Sequence, residues 1–144
     1  MIHAQNTKSA IVILPQSVGT TAVSGTVDTL GYDYATIQFT CDTAAASSVP
    51  TTMAVAEGDT TSAYTAITSY TGGTASGNFT MPTPDTSAGD ITKIHIPLTG
   101  RKRYLRVQLA STTARLACVT AELDRAEVVP TSDTNRGADE VVYG

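Results

Sequence analysis

At 144 residues the chain has room for one domain with a core of its own, without metal or disulfide staples. It is 41% hydrophobic and 15% charged, with 26 threonines, 19 alanines and no tryptophan. That is too apolar for a disordered chain and suits a pleated, half-wet surface with a small-residue core. The net charge of −4 argues against the strongly basic profile of a duplex nucleic-acid binder, and no stretch approaches the ~20 apolar residues of a membrane helix.

The charge is unevenly spread. Residues 1–100 carry two basic side chains, Lys8 and Lys93, against seven acidic ones, whereas residues 101–144 carry seven basic against six acidic. The apolar start "AIVIL" is too short for a secretory leader, so a soluble protein made in the cytoplasm is expected. In that compartment Cys41 and Cys118, each inside an apolar run, read as buried thiols rather than a disulfide.

In chain order, "SAIVILPQSV" (9–18) is an apolar run broken by Pro15, which lacks a ladder donor and so predicts an edge strand or an arm laid along one. "GTTAVSGTVDT" (19–29) is threonine-rich and extended. In "YATIQFTCD" (34–42), Ala35, Ile37, Phe39 and Cys41 face one way and Thr36, Gln38 and Thr40 the other, the alternation of a strand buried on one side. The preceding Leu30, Tyr32 and Tyr34 occupy the opposite parity, which suggests a bulge or a loop-to-strand transition after Tyr34. Asp28, Asp33 and Asp42 bracket this strand as turn-formers, Asp33 suiting an Asx-turn, and the rings cover the rim of the core.

"TTMAVAEGD" (51–59) predicts a strand with Met53 and Val55 inward and a turn at Gly58-Asp59. "SAYTAITSY" (62–70) suits a strand or one helical turn, and residues 71–90 read as a long surface loop. "ITKIHIPL" (91–98) and "RYLRVQLAS" (103–111) both alternate, with Ile94, Ile96, Leu98 and Leu105, Val107, Leu109 inward; joined by "TGRK", they predict a hairpin. "ARLACVTAELDRAEV" (114–128) is apolar on both faces, as in a central strand or one covered by a neighbouring subunit.

Seven or eight short strands with no βαβ rhythm predict an all-β, antiparallel, jelly-roll-like sandwich over residues 1–128. Residues 1–10 leave room for a flexible arm, and 129–144 form an extended C-terminal arm ending in the apolar Val141-Val142-Tyr143, which suits addition to a partner's sheet edge.

Chemistry-bearing patterns are sparse. His3 lies near the start, His95 faces outward, no nucleophile elbow accompanies them, and no Cys/His spacing suits zinc. No D-x-D-x-D-G loop offers calcium its ligands, and "GGTASG" (72–77) lacks the Lys-Ser/Thr of a phosphate loop. No cofactor is expected. "GRKRYLR" is richer, placing Arg101, Lys102, Arg103 and Arg106 within six residues. Lys102, Tyr104 and Arg106 share the outward face of the proposed strand. The cluster reads as a solvated hairpin tip or as an anchor for carboxylates on a protein partner, which arginine's planar fork pairs bidentately. Stacking of a single-stranded base on Tyr104 is the weaker option in an acidic chain.

Three segments, "VDTLGYDYATIQF", "AEGDTTSAYTAI" and "GRKRYLRVQL", occur in one order. Together they resemble the small cement, or decoration, proteins of tailed-phage capsids, which carry similar DT-x-GYDYATI, EGDTT and G-x-KRY-x-RV segments. The resemblance spans roughly residues 26–123. It implies a jelly-roll-like sandwich that forms a homotrimer on the outside of the virion head. Such trimers bridge major capsid subunits at threefold and quasi-threefold points, without catalysis, direct nucleic-acid contact or a membrane. Only the basic segment is carried over as a plausible contact. The alternative is a glycan- or ligand-binding sandwich of a phage tail or surface appendage, with Tyr32, Tyr64, Tyr70 or Tyr104 as its platform; an enzyme would need a pocket near His95.

Overall fold

The computed structural model describes residues 6–126 and 137–139. Eight strands follow one another: β1 Thr7–Val18, β2 Val23–Asp28, β3 Tyr32–Cys41, β4 Pro50–Gly58, β5 Thr65–Thr71, β6 Asp90–Pro97, β7 Tyr104–Ser111 and β8 Arg115–Ala126. They form two antiparallel four-stranded sheets, ordered β1-β8-β3-β6 and β2-β7-β4-β5. Strand 1 thus pairs with 8, 2 with 7, 3 with 6 and 4 with 5. This is a long antiparallel ribbon rolled over itself into a jelly-roll sandwich, in keeping with the all-β class expected from the sequence.

The alternation places the core. Ala35, Ile37, Phe39, Ile94, Ile96, Val119, Ala121 and Leu123 project from one sheet, and Met53, Val55, Leu105, Val107 and Leu109 from the other; all are buried. Each of the larger side chains contributes about 1.5–3 kcal/mol by leaving water. β8 lies between β1 and β3, and this central place accounts for its mixed composition.

β1 is an edge strand, and its register with β8 shifts between Ile11 and Ile13 and again between Ile13 and Gln16. Pro15 falls in the second irregularity, where its missing donor breaks no ladder bond. The bend brings the Val12 carbonyl to β2, so close that a Cβ on Gly25 would overlap it. The strand already runs from Thr7, so residues 7–10 belong to the sheet and not to a flexible arm.

Three other expectations are corrected. The segments 91–98 and 103–111 do not make a hairpin: β6 pairs with β3 in one sheet, and β7 with β2 and β4 in the other. "TGRK" is a sheet-to-sheet crossover, turned by an Arg101 N–H to Leu98 C=O hydrogen bond and by Gly100 at φ 76°. Alternation tells which side of a strand is wet, not which strand lies beside it. Nor is there a bulge after Tyr34, because the β3–β8 pairs Tyr34↔Asp124 and Ala35↔Leu123 are continuous. Tyr34 belongs to the outer face, where its ring stacks with His95 at 6.2 Å. The Asx-turn is made by Asp28, which accepts from the Leu30 N–H at 3.1 Å, while Asp33 pairs with Arg125 at 3.8 Å.

Of the C-terminal arm, residues 137–139 are described; Gly137 passes against the Ser9 carbonyl with no room for a Cβ. Val141, Val142 and Tyr143 lie outside the described residues.

Candidate interaction surfaces

The basic segment sits where the crossover enters β7, and the fold supplies acids to meet it. Arg103 holds Asp28 at the end of β2, with Nε to Oδ1 at 3.0 Å and a terminal nitrogen to Oδ2 at 2.7 Å. This hydrogen-bonded guanidinium holds the Asp28 carboxyl below its usual range. Arg101 reaches Glu57 at 3.3 Å, and Glu57 also accepts from the Lys102 N–H. The Lys102 ammonium reaches Asp59 at 3.1 Å. Three of the four cations predicted to anchor a partner are therefore paired within the chain. Four positive charges face three negative ones, leaving a net of one positive charge.

Arg106 is the exception. Among the described residues it is the one arginine outside the five ion pairs. It is the third residue of β7, between Thr26 of β2 and Ala56 of β4. Its guanidinium carbon lies 4.7 Å from the centroid of the Tyr64 ring, and the Tyr64 hydroxyl is tied to Thr26 Oγ1 at 2.9 Å. Tyr104 carries Arg103 over its ring at 4.9 Å. Tyr32 and Tyr70, on strands of opposite sheets, pack against the core. The four rings therefore do not make one shared exposed platform.

A second surface was foreshadowed in the residue pattern only by β8, which reads as apolar on both faces. Among the described residues five large apolar side chains are exposed, Ile11, Leu14, Leu30, Ile91 and Leu116. Four of them gather on one end of the outer face of the β1-β8-β3-β6 sheet. There Thr40 is flanked by its register partners Cys118 on β8 and Ile91 on β6. Pro15, Thr40, Leu116 and Cys118 line a shallow depression of about 320 Å³, with Leu14 beside Pro15 on its β1 wall. Ile11 pairs with the next outward position, Thr120. The four come from three strands separated by up to 105 residues (Ile11 to Leu116), so no local window could reveal them.

The other end of this face is polar. His95 is exposed, with Nδ1 3.1 Å from Thr36 Oγ1. The thiols are unpaired: Cys41 is buried, and burial pushes its pKa up, while Cys118 is half-buried and not fully enclosed as expected. Thr40, not Cys41, is the register partner of Cys118, so the two thiols leave opposite faces of the sheet. Among the described residues no group of three or more His, Cys, Asp or Glu side chains is placed to hold a metal ion.

Comparison of the chain with protein-family models and with curated proteins finds no match.

Proposed function

We propose that the chain is a capsid cement protein that adheres to the outside of a phage head and bridges major capsid subunits as a homotrimer. The observation that carries this reading is the apolar end of the β1-β8-β3-β6 face, where Ile11, Leu14, Ile91 and Leu116 are all exposed. Contiguous exposed apolar surface on a folded domain marks a place of contact. Its mounting supports adhesion: the patch rides on a sheet whose reverse side is the core, so it meets a partner with little ordering cost. The segment order that resembles decoration proteins names the partner as a shell.

The mechanism is mechanical. Packed nucleic acid loads the junctions between capsomers, and a rigid wedge across a junction resists their separation. Three copies of one modest interface raise each other's effective concentration, which multiplies affinity by ~10²–10⁴ without new contacts.

The test begins with solution mass by light scattering, alone and with empty heads; a trimer that coats the heads is expected. Heads stripped of the protein should then lose their genome at a lower temperature than decorated heads. Equal retention with and without the protein would overturn the reading.

A further inference from the structure

We propose that Arg106, held by Tyr64 and Thr26, is a docking point for a carboxylate on a protein partner. The other arginines among the described residues, and Lys102 beside them, already have acidic partners. Arg101, Lys102 and Arg103 are each matched by an acid of this chain, and Arg115 and Arg125 by Asp90 and Asp33. The sequence puts Arg106 on the same face as Tyr104 and opposite Thr26, with no acid among its cross-strand neighbours Thr26 and Ala56.

Its geometry suits recognition. The guanidinium rests against the Tyr64 ring at 4.7 Å, and the ring is fixed by the 2.9 Å bond between the Tyr64 and Thr26 hydroxyls. Ala56, on the same outer face, is only 5% exposed, as expected where long side chains lie flat over the sheet. The Arg106 Nε is buried and has no hydrogen-bond partner among the described residues. The fork is thus desolvated on one side and held in one plane before a partner arrives. Ordering an arginine in advance removes part of the entropic cost of binding, and a planar fork matches a carboxylate with two parallel N–H···O bonds.

Charge selects the ligand class further. The nearby acids Asp28, Glu57 and Asp59 offset the other cations, so a polyanion meets a nearly neutral surface, whereas a single carboxylate meets one uncompensated charge. The inference rests on the adhesive reading for the partner being a protein. It can be tested on the isolated full chain, so its failure and the failure of the capsid reading are separable.

The experiment follows the Arg106 Nε–Hε and Tyr64 ring signals by NMR while adding a capped Gly-Glu-Gly peptide, with capped Gly-Gln-Gly and inorganic phosphate as comparisons. The glutamate peptide should move both signals at least tenfold more than the glutamine peptide. Arg106→Gln should abolish the Tyr64 response, and Arg106→Lys, which keeps the charge without the fork, should weaken it severalfold while keeping the thermal midpoint. Equal shifts with the two peptides, a larger response to phosphate, or a full response in Arg106→Lys would overturn the proposal.

Discussion

Arg103 closes on Asp28 through two nitrogens of its guanidinium, at 3.0 and 2.7 Å, and so joins the end of β2 to the start of β7. The same carboxylate accepts the Leu30 N–H, so one acid closes both a turn and a strand pair. Because the Asp28 pKa is lowered in the folded chain, its contribution to stability is fully present above the unfolded carboxyl range, about 3.9, and is lost as pH falls through the lowered folded value. Asp28→Asn keeps the turn acceptor and removes the charge. Its urea midpoint should lie slightly below that of the parent at pH 7, the pair being solvent-exposed. The difference should shrink below pH ~3.9 as the parent's own carboxylate protonates. A gap that stays constant down to pH 2 would assign the effect to something other than titration.

A better-shielded pair behaves differently. The Arg115 side chain is 5% exposed and its terminal nitrogen lies 3.4 Å from Asp90 Oδ2. Asp90 also accepts the Asp85 N–H through its other oxygen. Asp90→Ala strands a buried cation and should cost about 3 kcal/mol, well beyond Arg103→Ala at about 1 kcal/mol or less. Chemical denaturation of both variants at pH 7 checks the order, and reversal of that order would count against the burial argument.

Gly25 meets the Val12 carbonyl where β1 bends from one sheet toward the other. The obstacle is backbone, which cannot rotate aside as a side-chain end can. Gly25→Ala should lower stability by about 3 kcal/mol, near the upper end for overpacking, and the thermal midpoint by roughly 10 °C. Gly31→Ala is a useful contrast. Its φ of 85° strains any side chain, but nothing stands within 4 Å of a new Cβ, so it should cost less, about 1 kcal/mol. Equal losses in the two variants would refute the steric assignment.

Leu14 and Leu116 are 67% and 61% exposed, so converting both to Asp removes little from the core. The double variant should melt within about 2 °C of the parent, as surface substitutions do. It should coat phage heads at least tenfold more weakly in a co-sedimentation assay. Undiminished coating would remove the apolar face from the contact.

The amino-acid pattern by itself determined the all-β class, most strand positions and which side chains point inward: Ile37 and Phe39, Ile94 and Ile96, Leu105 to Leu109, Val119 to Leu123. A two-residue period carries that much because it follows from the pleat alone. Only tertiary structure decided what lies beside what. It sent β6 and β7 to opposite sheets, matched Asp28, Glu57 and Asp59 to the basic segment, and left Arg106 without an acid among the described residues. It also gathered Ile11, Leu14, Ile91 and Leu116 on one face. The reason is physical: the inward face of a strand is set by its own residues, whereas its neighbours are set by the rolling of the whole ribbon, which pairs positions as far apart as Thr7 and Asp124.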